Sequence, residues 1–212
     1  MICFHPDKCH VLTLGKIENI QHAHRYCLND QVLEHVDFEK DLGLKFDSDL
    51  SFDHICEKVK KANVLAGLIH RSFSYLSPEM FKYLFSAFVR PHLEYDQVVW
   101  SPRFRKHVNI IEGVQRRATK HVDGLKNLPY PLRLKRIGLP TLEYRRERAD
   151  MVEMYKHIQV YDANAVPDRV KLHDCPSRKH NYQLRRNFPN DGIRGAQSKS
   201  FYFRAIKPWN EL

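Results

Sequence analysis

The sequence has no apolar run approaching the roughly 18 residues that a membrane-spanning helix needs. Its first residues, MICFHPDKCH, also lack the basic-then-apolar layout of a secretory leader. The chain is therefore expected to be soluble and intracellular, in cytoplasm or nucleus, with no membrane partner. The five cysteines, Cys3, Cys9, Cys27, Cys56 and Cys175, form no CxxC pair, and an odd number spread over such a length is no disulfide framework, so reduced thiols are expected. Thirteen histidines invite a metal site, above all His22-Ala-His24 and Cys175 with His180, but neither offers four ligands at zinc spacing. There is no internal repeat, and no Ser or Cys nucleophile comes with an evident base and orienting acid, so an independent hydrolytic enzyme has no constellation to rest on.

The chain does have enough apolar content for a core. With 42% hydrophobic residues among 212, it can bury roughly two-thirds to three-quarters of its unfolded surface. One or two packed domains are feasible.

The net charge of +10 is unevenly distributed. Residues 1–50 hold 5 Lys/Arg against 9 Asp/Glu, whereas residues 103–148 hold 13 against 4 and residues 169–212 hold 10 against 3. Basic blocks behind an acidic beginning are the electrostatic footprint of a protein that lies against phosphate, where each neutralised phosphate releases counterions. A solvated basic surface is the plainer alternative.

Hydrophobic periodicity predicts an α+β fold, predominantly helical. Within residues 1–50 the runs CHVLTLG, HRYCLNDQVLE and DFEKDLGLKFD alternate partially, with Asn29-Asp30 as a turn, which predicts a small β ribbon. From Asp53 the period becomes helical: Ile55, Val59, Ala62, Ala66, Ile69 and Phe73 form one apolar stripe, with Lys58, Lys60 and Lys61 turned mainly elsewhere. Ser77-Pro78-Glu79 signals the next helix start, Phe81, Phe85 and Phe88 fall on its broad apolar face, and Pro91 should end or bend it. A multi-helix bundle over residues 51–165 and an irregular basic tail over 166–212 complete the expected organisation.

The stretch KHVNIIEGVQRRATKHVDG, opened by Ser101-Pro102 and closed by Gly124, reads as a two-faced helix. Val108, Ile111, Val114 or Gln115, Ala118 and Val122 should face inward, with Arg105, Asn109, Glu112, Arg116 and Lys120 on the opposite side and Arg117 adjoining them. A short helix around Leu132 to Ile137 should precede Gly138, and Thr141 should cap a longer one to about Tyr161. That helix carries Arg145, Arg146 and Arg148 in its first turns, where cations oppose the helix dipole unless an anion compensates them. A bound phosphate would serve, and so would Glu143 and Glu147. Arg105, Arg116, Arg117, Lys120, Arg145, Arg146 and Arg148 are thus the candidate nucleic-acid-binding residues. In the tail, RKHNYQLRR, with Tyr182 inside it and Phe188 just beyond, could stack on and neutralise a single strand, or serve as a linker.

Several strings point further: Phe4-His5-Pro6-Asp7-Lys8-Cys9, Lys40-Asp41-Leu42-Gly43, Val89-Arg90-Pro91-His92-Leu93-Glu94-Tyr95, Val99-Trp100-Ser101-Pro102, Val114-Gln115-Arg116-Arg117-Ala118-Thr119, and Arg133-Leu134 through Gly138-Leu139-Pro140. Together they resemble the C-terminal part of the reverse transcriptase of jockey-type non-LTR retrotransposons, over almost the whole chain. The resemblance implies that residues 1–50 end a palm, with Lys8 facing the incoming nucleotide's phosphates although His5 stands where Asn is usual. It makes Asp41, Leu42 and Gly43 a primer-grip-like hairpin and the following helices a thumb and connection. The implied partner is an RNA or DNA template–primer, and the complete polymerase would use Mg2+.

No aromatic-Ala-Asp-Asp turn occurs in the 212 residues. Phosphoryl transfer needs carboxylates that hold metal ions, and the pairs Asp47/Asp49 and Asp37/Asp41 fall where the resemblance implies strand and turn, so they are read as solvated or capping acids. The expectation is a fragment, its fingers and catalytic palm missing and both ends truncated, that binds nucleic acid without polymerising. The alternative is a transposon-derived helical interaction module presenting apolar surface such as Phe81, Phe85 and Phe88.

Overall fold

A computed structural model describes residues 5–14, 25–50, 55–102, 104–159, 170–172, 182–186 and 200–212. His22, His24, Cys175, His180 and Phe188 lie outside the described residues, as do most of the run around Tyr182 and Arg103. The fold is mixed α and β and predominantly helical, and the chain divides into two compact units, Met1–His54 and Ile55–Leu212.

The first unit is the expected β ribbon. A 3-10 turn, Pro6–Lys8, leads into β1 (His10–Leu12), which pairs in parallel with β4 (Glu34–Val36). Strands β2 (Cys27–Leu28) and β3 (Gln31–Val32) form a hairpin across Asn29 and Asp30, whose φ values of 50° and 62° are those a two-residue type I′ turn requires. Strands β5 (Phe38–Asp41) and β6 (Leu44–Asp47) make the second hairpin, in which Asp41 pairs with Leu44 and Lys45 holds its ammonium 3.7 Å from the centre of the Phe38 ring. Its tip is Leu42-Gly43, with φ of 45° and 84°. Glycine suits that conformation, whereas leucine, with a Cβ close to the following carbonyl, does not.

The second unit begins with α1 (Ile55–Ser72), which buries Ile55, Val59, Ala62 and Ile69 of the apolar stripe read from the sequence, while Ala66 and, beyond the helix, Phe73 are half-buried. Ser77 caps α2 (Pro78–Leu84) as expected, its hydroxyl accepting from the Met80 N–H at 3.2 Å. Pro91 neither ends this helix nor breaks it. A single π turn, Phe85–Val89, intervenes, in which the Arg90 N–H donates to the Phe85 carbonyl, and α3 (Arg90–Glu94) continues through the proline. The wider turn relieves the clash that a proline ring makes with the carbonyl four residues back. Phe81 and Phe85 are buried at 2% and 0% exposure, so only Phe88 of the three phenylalanines supplies outward apolar surface.

After α4 (Gln97–Trp100) comes α5 (Arg105–Ala118), starting later than Ser101-Pro102 and without a side-chain cap. A 3-10 turn, Thr119–His121, ends it, and Gly124, at φ 74°, lies beyond it in the following turn. Helix α6 (Tyr130–Ile137) stops at Gly138 in the left-handed conformation, and α7 (Leu142–Gln159) starts at Thr141, whose hydroxyl accepts from the Tyr144 N–H at 3.1 Å. Helix α1 packs on α3 and α5, and α5 on α7.

The end of the chain departs from the expected irregular tail. Strands β7 (Val170–Leu172) and β8 (Leu184–Arg186) pair antiparallel, and α8 (Phe201–Asn210) packs on α7. Phe201, Ala205, Ile206 and Trp209 join Met154 and Leu184 in a core of their own. Asn210 clamps β8 by accepting from the Leu184 N–H and donating to its carbonyl, both at 2.9 Å, and the Trp209 indole donates to the Tyr182 carbonyl at 2.8 Å. The segment FRAIKPWNEL is therefore part of the helical unit's core.

Two outcomes follow from this packing. Trp209→Ala removes a buried aromatic side chain and its hydrogen bond and should cost about 3–5 kcal/mol in denaturant unfolding; a loss below about 1 kcal/mol would show that α8 is a loose appendage. Leu42→Asn should stabilise the chain by up to about 1 kcal/mol by relieving the left-handed leucine. A melting temperature lowered by that substitution would mean that Leu42 makes contacts worth more than its strain.

Candidate nucleic-acid interface

Helix α5 is two-faced as the sequence predicts, with one exception that organises the region. Ile111, Val114, Gln115 and Ala118 are buried, while Arg105, Asn109, Arg116 and Lys120 are exposed, but Glu112, expected on the outer side, is only 7% exposed. Its carboxylate accepts from the Tyr130 hydroxyl and from the backbone N–H groups of Leu142 and Glu143 at 3.0 and 3.3 Å. Burial, and then Glu112 itself, push the Tyr130 hydroxyl's pKa well up, so Tyr130 stays a donor. The anion at the start of α7 is thus Glu112, reaching across from α5. Neither a bound phosphate nor Glu143 or Glu147 is needed to balance the dipole.

This contact determines where the arginines of α7 go. Arg146 is drawn inside, 4% exposed, and its terminal nitrogens have no hydrogen-bond partner. Burial pushes its pKa down while Glu112, Glu143, Glu94 and Asp150 act in the opposite direction; the guanidinium stays charged as the buried counter-ion of an acidic cluster. Arg145 holds Glu94 with two hydrogen bonds, at 2.5 and 2.9 Å, and Arg105 is paired with Glu143. Arg145 and Arg105 are thus engaged by carboxylates, and Arg146 is buried. Arg148 is exposed on α7.

The remaining cations of α5 divide between its two flanks. Arg116 lies over the Tyr130 ring, 5.1 Å from its centre, near Arg133, which is itself buried and donates to the Arg116 carbonyl at 3.1 Å. Arg117 belongs to the seam with α1, and Lys120 is exposed in the 3-10 turn that follows α5. The Arg117 guanidinium donates to Asn63 of α1 at 2.9 Å and lies over Gly113, where a Cβ would meet it at 3.1 Å. Arg71 lies over Gly67 of α1 in the same way, at 3.4 Å from such a Cβ. Farther along, His70 of α1 and His121 stack with ring centres 3.8 Å apart and planes at 24°. Burial, then His70, then Lys126, hold the His121 imidazole below its usual pKa, and burial and then Lys61 do the same to His92.

Near the two stacked imidazoles stands Lys126, with Arg71 next to His70 and Lys120 next to His121 in the sequence, Arg117 on α5, and exposed Lys60 and Lys61 farther back on α1. Among the described residues, none of these Lys and Arg side chains is paired with a carboxylate. The adjacent acid, Asp123, accepts from the Leu76 N–H. Arg71, His70, His121 and Lys126 were not among the sequence candidates. The sequence does carry a signal for the arginines: Gly67 and Gly113 each stand four residues before one, a helical turn away, where a missing Cβ lets the guanidinium lie flat.

In the first unit Lys8 is exposed in the 3-10 turn, and Asp41, Leu42 and Gly43 form the hairpin tip, with Leu42 at 81% exposure. Among the described residues, no three His, Cys, Asp or Glu side chains gather as a cation site, and no helix is long and apolar enough to cross a membrane. The chain matches no protein-family model, and neither the curated proteins nor the solved structures contain a significant match to it.

Gly113→Ala separates the two uses a helical glycine can have. If Gly113 serves to seat Arg117, alanine should move only a flexible side chain, raise stability by about 0.5–1 kcal/mol through helix propensity, and weaken nucleic-acid binding. Destabilisation in thermal unfolding would show instead that α5 and a neighbouring backbone need the space.

Proposed function

We propose that the chain is the back end of a reverse transcriptase of the jockey-type non-LTR retrotransposon class, and that its helical unit grips the backbone of template–primer or element RNA through the α1–α5 seam. The observation that carries this reading is the sorting of the charges. Around α7 three arginines meet acids, Arg105–Glu143, Arg145–Glu94 and Arg204–Asp150, with exposed Arg148 the exception, whereas Arg71, Arg117, Lys120 and Lys126 meet none among the described residues. Uncompensated cations projecting from two packed helices are suited to a row of phosphates and carry no base-specific information. The family assignment rests on the sequence strings, from the Val89–Tyr95 segment to the Gly138-Leu139-Pro140 turn. The chain's own contribution is binding. Polymerisation would require the metal-holding carboxylates of the aromatic-Ala-Asp-Asp turn, which its sequence does not contain.

An interaction module is the competing reading, and the exposed Tyr83, Phe88 and Tyr95 on and just beyond the helical run from Pro78 to Glu94 are what favours it. Salt separates the two. Binding to a fluorescent DNA duplex, followed by anisotropy, should weaken linearly in log salt with a slope of about −0.9 for each phosphate contacted. Replacing Arg71, Arg117 and Lys120 together by Gln should make that slope shallower by about three contacts. Arg105→Gln should leave it unchanged. Self-association indifferent to salt, with no duplex binding, would overturn the proposal in favour of the interaction module.

A further inference from the structure

We propose that the stacked pair His70 and His121 is a phosphate site that takes up a proton when it is filled, so that the chain holds a nucleic-acid backbone more tightly as the pH falls. This rests on the reading of the α1–α5 seam as a backbone-binding face. The two rings come from different elements, His70 from the last turn of α1 and His121 from the 3-10 turn after α5, and both residues are exposed. At 3.8 Å between ring centres, nearly parallel, the pair stacks well as two neutral imidazoles or as one neutral and one charged, and poorly as two cations.

The surroundings oppose protonation of His121 in the free protein. Helix α1 contributes Arg71, α5 and its 3-10 turn contribute Arg117 and Lys120, and the turn that follows contributes Lys126. Helix α6, packed on the 3-10 turn, brings Arg133, with Lys135 and Arg136 exposed on the same helix. The acid of this region, Asp123, is engaged by the Leu76 N–H. Burial, the partner ring and Lys126 accordingly hold His121 below the usual imidazole range.

A phosphodiester placed against the pair reverses this balance. Its negative charge offsets Lys126, and its oxygens accept from imidazolium N–H groups. The site's pKa therefore rises on binding. A group protonated more readily in the complex than in the free chain must draw a proton from solvent in the pH interval between its two pKa values. That interval starts below the ordinary imidazole pKa of about 6.5 and extends above it. Each proton taken up strengthens binding by about tenfold per pH unit across the window.

The experiment uses the whole chain with a fluorescent DNA duplex at constant ionic strength, from pH 8 to pH 5.5. A second measurement follows the imidazole resonances of His70 and His121 by NMR, with and without inorganic phosphate. We expect wild-type affinity to rise about tenfold per pH unit through the window. The double variant His70→Gln, His121→Gln should lose most of that rise. His92, which faces Lys61, remains in that variant as the background. Phosphate should raise the titration midpoint of His121. An equal pH dependence in the wild type and the double variant would overturn the inference, and so would ring midpoints indifferent to phosphate. Duplex binding absent at every pH would overturn the proposed function itself; the phosphate titration would then decide the histidine site alone, and the result "an adventitious ion only", a shift shared equally by all the histidines, would count against it.

Discussion

The arrangement of the helical unit depends on one buried carboxylate. Glu112 stands on α5, accepts the Tyr130 hydroxyl at the start of α6, and caps the first amides of α7. A carboxylate at a helix N-terminus satisfies donors that would otherwise be orphaned and meets the positive end of the dipole. Here it also makes three helices share one point. With the start of α7 fixed there, the helical period places Arg146 inside and Arg145 beside Glu94, while Asp150, one turn on from Arg146, receives Arg204 of α8 at 2.8 Å through both oxygens. A buried ion cluster of this kind is weak evidence for extra stability, because desolvation offsets most of its Coulomb attraction. It strongly dictates which helices can be neighbours.

That constraint also explains why the charge of the chain is a poor map of its surface. Residues 103–148 carry a large basic excess, yet much of it is consumed inside the fold or in ion pairs on the α7 side. Exposed pairs such as Arg105–Glu143 contribute little to stability, on the order of 0–1 kcal/mol, but they remove their cations from competition for phosphate. What remains uncompensated among the described residues includes Arg71, Arg117 and Lys126 as well as Arg116, Lys135, Arg136 and Arg148, all exposed. Between α1 and α5, Asn63 meets Arg117 and, farther along both helices, His70 meets His121. The contacts therefore advance in the same sense on the two elements.

The helices were legible wherever a local rule determined them. The stripe of α1, the Ser77 and Thr141 caps, the Asn29-Asp30 turn and the stop at Gly138 all follow from spacing and backbone preference over a few residues. What was not legible came from contacts distant in sequence. Glu112 looks like a solvent-facing acid on the α5 pattern until α7, some thirty residues later, brings its amides to it. Arg145 and Arg146 look like phosphate ligands until Glu94 and Glu112 reach them. The closing helix looked like an interrupted apolar phrase because its core partners, Met154 and Leu184, lie far back in the chain. The π turn before Pro91 belongs with these: a proline signals a break, and whether the helix widens to pass it depends on the packing of Phe85 and Val89, both fully buried.

The seam differs from a merely basic surface in how its side chains are held. A free arginine carries about 2 kcal/mol of rotamer entropy, part of which is lost when it binds. Arg71 and Arg117 instead lie along their own helices over Gly67 and Gly113, and Arg117 is further fixed by Asn63. The imidazoles are likewise held against each other, the orientation of each limited by its partner. Side chains restrained before a ligand arrives lose less freedom when it does, so the same number of charges binds more tightly than it would on flexible stems. Two glycines inside helices, each weakening its helix by roughly 0.5–1 kcal/mol relative to alanine, are hard to explain by stability. They are readily explained if the helices must carry flat, pre-aligned guanidinium groups along a line of phosphates.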